Sequence, residues 1–518
     1  MTLDRARPTA PSAPRPPARS RALAAARSAA PCTVWAAALL LVVLLALVIV
    51  PLPWIGDLGM HAATVERLRH DLAHPGNPLV AEDTPSPYYS PWTVLLGVFA
   101  VLGGVPTFGV LRTGAVIALA VLLGGVWRFV RTFTARTAAV PVTLLCLTLL
   151  WGTQVFAWSG FTGLGSLALT VSYPSTLALG LAFHLWAWLR RALAAGASWA
   201  VFLGLGLLWG TTLLVHQFTG VVAALGAVAL SLGARPWPAR VVWARLAAGA
   251  LLGLLLVGVW PYYDFFALLG TGGLDAIHQA LYQDTVVRFG LAAVGVAALG
   301  ARWTRDRRDP LVLFFGLGLL VVVLGQLTGH HAWGRALPAA LVPAQVAAGI
   351  EVFDRGRPRW RALYAGALGA ALLAGAWAQI GTVGYVVPPR ELPGPVAAKA
   401  REPWEGYRWI VPWTRYGDVV MAKVLPARQI PAHGPYTVAP GYPDVLLPDA
   451  RQRTAAMDRY YARGTAPAER ARILRTYQVR WVLDGPRTPG DGLRETARGP
   501  GGHRLYGVPP PGTAGGDG

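Results

Sequence analysis

Apolar runs alternate with short basic segments along most of this chain, and that alternation predicts the architecture. The first run, Thr33 to Trp54, is followed by a polar stretch over 55–90 and a short apolar run, Pro91–Gly104. Further apolar runs follow at 109–130, 138–157, 174–189, 198–214, 217–233, 243–260, 287–302, 310–327, 337–353 and 361–384. A helix needs about 17–25 mostly apolar residues to cross a bilayer. The pattern therefore predicts an all-α polytopic membrane protein of about eleven transmembrane helices. No internal repeat is visible, which counts against an inverted-repeat transporter.

Arginine placement sets the expected topology. Clusters at Arg128/Arg131/Arg136, Arg190/Arg191, Arg235/Arg240/Arg245, Arg302/Arg305/Arg307/Arg308 and Arg355/Arg357/Arg359/Arg361 fall between apolar runs. All become cytoplasmic together if Pro91–Gly104 does not cross, which agrees with the positive-inside rule. Pro91–Gly104 is then a hairpin or short helix resting in the outer leaflet; a thin crossing helix is the alternative. The N-terminus falls in the cytoplasm, and the chain after 387 falls outside.

Residues 1–32, rich in Pro, Ala and Arg, bury nothing and are expected to be a disordered basic cytoplasmic tail. A signal peptide is the competing reading, but the run after it is long and no small-x-small cleavage site precedes Trp54. In the first outer loop, 55–90, Met60, Val65, Leu68 and Leu72 recur near helical spacing among polar residues. This predicts an amphipathic helix on the outer surface. His74-Pro-Gly-Asn-Pro78 stops it. From Pro388 charge and proline rise and no further span follows. Tyr436–Pro440 and Val479–Leu483 read as strands and Ala468–Tyr477 as a helix, so 388–485 is expected to be a small extracytoplasmic α/β domain. The Gly/Pro-rich 486–518 is expected to be a flexible tail.

Composition narrows the class. The 518 residues are 54% hydrophobic and only 14% charged, and mean hydropathy is +0.45; soluble domains carry about 25% charged residues. The formal net charge of +21 raises a nucleic-acid reading. The position of the arginines argues instead for topology and anionic lipid, so no nucleic-acid partner is expected. The two cysteines, Cys32 and Cys146, give neither a disulfide framework nor a metal pattern.

The polar residues that could carry chemistry gather on the expected outer side. Asp57 follows the first helix directly, and an acid at that depth costs free energy unless it is used or capped. Two readings stay open: a functional carboxylate, and the N-cap of the amphipathic helix, a position Asp favours. His61 lies one helical turn on. His216 and Gln217 fall at the third outer loop, Tyr262, Tyr263, Asp264, Asp284 and Arg288 at the fourth, and His330, His331 and Arg335 at the fifth. Arg335 opens an apolar run on the wrong side for a topogenic arginine, whereas Arg112 fits a residue snorkelling to the interface. Trp158, Tyr173 and Trp260 read as aromatic-belt anchors.

The order of these features resembles the GT-C glycosyltransferases, a superfamily that includes protein O-mannosyltransferases, aminoarabinose transferases and arabinosyltransferases. The resemblance is carried by Asp57 after the first helix, the amphipathic helix, Pro87-Tyr-Tyr-Ser-Pro-Trp92, Gly104-Val-Pro-Thr-Phe-Gly-Val-Leu-Arg112, His331-Ala-Trp-Gly-Arg335-Ala-Leu-Pro338, and the closing segment Arg470–Asp484. It covers most of 34–485 in layout, through loose motifs.

The resemblance implies a membrane enzyme that moves a sugar from a polyprenyl-phosphate donor to a cell-envelope glycan, lipid or protein outside the cytoplasm. It implies Asp57 as the carboxylate that deprotonates or orients the acceptor hydroxyl, with His61 tuning it. Arg335 is implied as the cation on the leaving phosphate, with Arg112 and Arg288 as further candidates. Tyr262, Tyr263, Asp264, His330 and His331 are candidates for the cavity wall. Several members carry a further acid in the second outer loop. Here Ser159–Ser172 has none, which counts against a divalent-metal mechanism, and no cofactor is expected. Two other classes remain: a transporter or flippase for lipid-linked sugars, and a non-catalytic envelope assembly protein, in which Asp57 and Arg335 would not converge.

Overall fold

The structure, a computed structural model, describes residues 18–268, 275–353, 358–484 and 493–509. Twenty α-helices run along it. They are α1 (Ala18–Val48), α2 (Leu58–His70), α3 (Pro91–Gly103), α4 (Thr107–Val130), α5 (Ala139–Leu149), α6 (Leu164–Thr170), α7 (Pro174–Ala195), α8 (Trp199–Val215), α9 (Gln217–Leu232) and α10 (Arg240–Gly258), followed by α11 (Asp275–His278), α12 (Thr285–Phe289), α13 (Ala293–Arg305), α14 (Pro310–Thr328), α15 (Leu337–Glu351), α16 (Pro358–Gln379), α17 (Gly394–Ala397), α18 (Val424–Ala427), α19 (Ala450–Tyr461) and α20 (Pro467–Thr476).

Among the described residues, five helical segments are long and apolar enough to cross a membrane: α4, α10, Thr285–Arg305, α14 and Pro358–Tyr385. A sixth is added if α6 and α7, bent by 120° at Ser172–Tyr173, are one broken span. The protein is thus a multi-pass membrane protein. The long runs expected from the sequence lie within a few residues of the observed helices. Two runs are exceptions: α5, for the run over 138–157, stops at Leu149, and α1, for the run Thr33–Trp54, stops at Val48. At 13 residues, α3 reaches about 20 Å at 1.5 Å per residue, short of the roughly 30 Å hydrocarbon layer. Helix α1 begins at Ala18, inside the stretch 1–32 expected to be disordered, and residues 1–17 lie outside the described residues.

The bundle packs through small residues. Where α8 crosses α10, a Cβ on Gly206 or Gly210 would overlap the backbone at Gly249 and Gly253. Without side chains at the crossing the two backbones meet, the arrangement that favours association where lipid offers no hydrophobic drive.

The chain after the bundle forms a five-stranded sheet in the order β2-β1-β3-β5-β4, with strands β1 (Val419–Met421), β2 (Tyr436–Thr437), β3 (Val479–Leu483), β4 (Arg494–Arg498) and β5 (Arg504–Gly507). β1 pairs in parallel with β2 and β3, and β5 runs antiparallel between β3 and β4. Met457, Tyr460, Ile473 and Leu474 of α19 and α20 bury one face of the sheet, and Tyr407, Ile410, Ala427 and Ile430 bury the other. The β4–β5 hairpin corrects the expectation of a loose tail over 486–518 for residues 494–507, while 486–492 and 510–518 lie outside the described residues. Leu505, fully buried opposite Leu483, ties it to β3. A four-residue strand with one buried side chain between glycines leaves no periodic signal.

The first polar stretch also departs from expectation. Helix α2 forms where the spacing predicts it, but it is not a surface helix. Ten of its residues are buried, Glu66 and Arg67 among them. It is covered on one side by α3 and α4 and on the other by the C-terminal domain. Arg67, fully buried, donates to the carbonyls of Gly434 and Pro435 at 2.6 Å each and lies over the ring of Tyr436. Glu66 is held by Arg69 at 2.8 Å and by the Thr107 hydroxyl. Gly59 lets the two bodies touch, because a Cβ there would overlap the Arg428 carbonyl oxygen.

Gly59→Ala should therefore destabilise the contact of α2 with the C-terminal domain by about 1–3 kcal/mol. Gly204→Ala, where a Cβ meets nothing within 4 Å, should be near neutral. The check is thermal unfolding in detergent alongside limited proteolysis of 388–423, with only the Gly59 variant cut faster.

Candidate active site

The site is built on the turn that joins α1 to α2. Gly56, at φ +76, takes a conformation that costs residues with a Cβ and that glycine adopts freely. Two tyrosines from distant parts of the chain pin the turn. The Tyr173 hydroxyl, at the break between α6 and α7, donates to the Ile55 carbonyl and accepts from the Asp57 N–H, both at 2.9 Å. The Tyr442 hydroxyl, from the C-terminal domain, donates to the Gly56 carbonyl at 2.8 Å. Pro174 fixes the first turn of α7 and biases Tyr173 to extended backbone (φ −83, ψ 154), so the break that places Tyr173 is written locally. Tyr173, expected as a membrane-interface anchor, is instead buried in the site.

Asp57 occupies the N-cap position of α2, yet its side chain makes no capping hydrogen bond. The carboxylate lines a cavity of about 590 Å³. The same cavity is lined by His61, Tyr88, Trp158, Ser159, Tyr173, His216, Phe218, Tyr263, His278, Arg335, Arg401, Arg428 and Tyr442. Among the described lining residues Asp57 is the sole carboxylate, against the three guanidiniums of Arg335, Arg401 and Arg428.

Burial raises the Asp57 carboxyl above its ordinary range, while the charges of Arg428 and Arg335 pull it back down. His61 stacks obliquely on Tyr173 with ring centres 4.6 Å apart. Burial pushes its imidazole down to about 3, so it is neutral at physiological pH, and its Nδ1 has no hydrogen-bond partner among the described residues.

Arg335 sits in the 3₁₀ turn His331–Ala336 between α14 and α15 and is 6% exposed. Burial lowers it to about 9, with Asp57 acting in the opposite sense, so it stays charged at neutral pH. Its guanidinium lies 4.4 Å from the centre of the Phe218 ring and 5.7 Å from that of Trp158. Nε and Nη1 are buried without a hydrogen-bond partner among the described residues. Arg428 enters from the C-terminal domain, where its Nε donates to the Gly441 carbonyl at 2.9 Å.

A cavity with these walls can bind an anion and offer a carboxylate to a group beside it. Two nitrogens of the buried Arg335 guanidinium lack an acceptor among the described residues, and an anionic ligand would supply one. Among the described residues no group of three His, Cys, Asp or Glu is placed to hold a metal ion.

Asp57, His61, Arg335 and Tyr263 from the sequence reading meet in this cavity, with His216 and Gln217, while Arg112, Arg288, Tyr262, Asp264, Asp284, His330 and His331 do not line it. Arg112 donates to the Val50 carbonyl at 2.8 Å at the end of α1. Arg288 is held by the Ala280 carbonyl and Asp284 and covers the Phe156 ring. Tyr262 turns its hydroxyl to the Leu72 carbonyl, and Asp264 accepts from the N–H groups of Phe266 and Ala267. His330 stacks on Trp333 and His331 packs edge-on to Tyr282. In each case a nearer backbone group or ring satisfies the side chain. Arg428, Arg401 and Tyr442 were missed, because their separation from Asp57 by more than 340 positions along the chain leaves no local signal.

No family model matches this sequence, and no curated protein matches it. Solved structures do. The apo structure of ArnT from Cupriavidus metallidurans matches with a TM-score of 0.52 and 16% identity, over 93% of this chain and 98% of that one. An Archaeoglobus fulgidus oligosaccharyltransferase tethered to an acceptor peptide matches with a TM-score of 0.44 and 13% identity, over 86% of this chain and 69% of that one. The arabinofuranosyltransferase AftD from Mycobacteria matches with a TM-score of 0.48 and 16% identity; 90% of this chain spans 40% of that one. The likeness to ArnT is one of fold, and the fold is GT-C-like.

The opposing effects of burial and the two arginines on Asp57 make a test. Removing the Arg428 charge in Arg428→Gln takes away a lowering influence, so the Asp57 carboxyl should titrate at higher pH than in the unaltered protein. The measurement is the pH dependence of the carboxyl C=O infrared band, isolated by subtracting Asp57→Asn spectra.

Proposed function

We propose that this GT-C-like membrane protein is a glycosyltransferase that moves a sugar from a polyprenyl-phosphate donor to a hydroxylated cell-envelope acceptor on the extracytoplasmic side. The observation that carries this reading is that Asp57 and the Arg335 guanidinium, whose Nε and Nη1 have no hydrogen-bond partner among the described residues, share one cavity with no second carboxylate among its described lining residues.

The chemistry follows from the charges. The acceptor hydroxyl oxygen attacks the anomeric carbon of the donor, and its proton passes to the Asp57 carboxylate. The bond between that carbon and the phosphate oxygen breaks, and the electron pair leaves on the phosphate. The leaving group goes from a singly charged phosphodiester to a phosphomonoester carrying a second negative charge. Arg335, helped by Arg428, offsets that charge where it builds. A lone carboxylate cannot act both as nucleophile and as separate acid–base catalyst, so a direct displacement with inversion fits the cavity better than a double displacement. His61, neutral and against Tyr173, shapes the wall beside Asp57 without adding charge.

Tyr442 and Arg428 bring the C-terminal domain into this site, and their contacts support an extracytoplasmic placement for the domain if transfer occurs outside. The +2 balance of the lining residues, three arginines against one aspartate, favours an anionic donor over a neutral one.

Purified protein in nanodiscs, assayed against a panel of polyprenyl-phosphate sugars, should release polyprenyl phosphate. Asp57→Asn should lower kcat by about 10²–10⁴, the usual span of general-base catalysis. Arg335→Gln should lower kcat/KM by about 10²–10³. Full activity in Asp57→Asn, with envelope glycans unchanged in cells that carry it, would sink the proposal. In the unaltered protein the acid limb of kcat/KM should fall through a pKa above the ordinary carboxylate value of about 4, because the base must be ionised and burial raises it.

A further inference from the structure

We infer that His216 is a positioning residue that sets the orientation of the Arg335 guanidinium in the cavity. This rests on the transferase reading only for the use made of that cation, which is to bind the donor phosphate.

His216 is the single residue between α8 and α9, with extended backbone at φ −157 and ψ 101. Its Nε2 lies 3.3 Å from Arg335 Nη2. A guanidinium has only donors, so Nε2 must accept. The imidazole is then neutral and carries its proton on Nδ1. Nδ1 lies 2.8 Å from Thr219 Oγ1, which accepts that N–H; the Thr219 backbone N–H also points at Nδ1 from 3.3 Å, and this neutral contact gives way because the competing bond from the Arg335 guanidinium is charge-assisted. The Ser159 hydroxyl approaches the same Nε2 at 3.4 Å. A Cβ on Gly160 would come within 3.1 Å of the His216 ring, so the second loop lies close against the imidazole. The ring is thus fixed by its backbone, by Thr219 and by a tight loop.

What the ring holds is otherwise loose in one direction. The Phe218 and Trp158 rings lie against the guanidinium carbon, but a ring contact at that carbon does not fix how the guanidinium is turned. The hydrogen bond to His216 does, and it is the one that Arg335 makes among the described residues. With Nη2 held, Nε and Nη1 stay uncommitted for an incoming anion. Without it, the cation would remain in the cavity but lose its fixed bearing, and binding would have to restore that order.

Thr219 gives a second handle on the same device. It contacts the imidazole on the side away from Arg335 and does not line the cavity. A change there can reach a bound phosphate only through His216.

The test measures binding of a short-chain polyprenyl monophosphate, without sugar, to the full chain in nanodiscs. Arg335→Gln should lose most of the affinity. His216→Leu, which removes the acceptor but keeps a bulky side chain, should weaken binding about tenfold, the span of a hydrogen bond to a charged group. His216→Gln, whose amide oxygen can accept, should recover to within about threefold of the unaltered protein. In turnover, His216→Leu should raise KM for the donor far more than it lowers kcat. Thr219→Val should weaken binding in the same sense by about threefold, and Thr219→Ser should not; this pair decides the matter if His216→Leu fails to fold. If Arg335→Gln loses binding while His216→Leu and Thr219→Val bind as the unaltered protein does, the positioning role is wrong and the phosphate reading survives. If Arg335→Gln binds as well as the unaltered protein, the phosphate reading fails and the positioning role falls with it.

Discussion

Two tyrosine hydroxyls hold the Ile55–Asp57 turn, and the rest of the site depends on that grip. Tyr173 comes from the break between α6 and α7, and Tyr442 comes from the C-terminal domain. Each satisfies a backbone group of a segment that belongs to neither helix nor sheet, where an unpaired buried group would cost free energy. The consequence is directional. With the turn's backbone paired elsewhere, the Asp57 side chain is not drawn into capping α2 and faces the cavity instead. A carboxylate at a helix N-terminus that leaves the cap unmade is a departure from the local preference, and such departures concentrate at sites that do something.

The same logic explains why the C-terminal domain closes over the bundle rather than hanging from it. Arg67 places a full charge in a fully buried position and pairs it with carbonyls of the Gly434–Pro435 turn and the Tyr436 ring. Gly59 removes the one atom that would keep the Arg428 backbone away from α2. Both residues lie on the helix that Asp57 begins, so docking the domain and completing the cavity are one event. The domain thereby delivers Arg428 and Tyr442 to a site whose carboxylate lies at the other end of the chain. The charge balance of the cavity is set jointly: Arg335 from the helix bundle, Arg428 from the domain and Arg401 from the segment between them.

Much of the layout was legible along the sequence. Apolar runs of membrane length placed most of the long helices, because a helix surrounded by lipid must be apolar over its whole length and cannot hide that in tertiary contacts. Asp57, His61 and Arg335 stood out as polar residues beside such runs, where charge is expensive. Helix α2 was legible as a helix but misjudged in its surroundings. Its polar residues suggested solvent, whereas Glu66 and Arg67 are polar to bind the domain above it and the helix below. Arg112 and Arg288 drew attention for the same reason as Arg335. Only the folded chain shows that Val50 and Asp284 take them.

What the sequence determined by itself is therefore the membrane class, most helix boundaries, the α/β character of the C-terminal domain and the first members of the site. These rest on local physics: hydrophobic length, periodicity and the cost of a charge near lipid. What only the tertiary structure decided is which polar groups face one another. The pairing of His216 with Arg335, the entry of Arg428, the pinning by Tyr442 and the burial of the β5 strand all join residues far apart in the chain. No periodicity records such a contact, because its free energy comes from desolvation and geometry that exist only after the elements have packed.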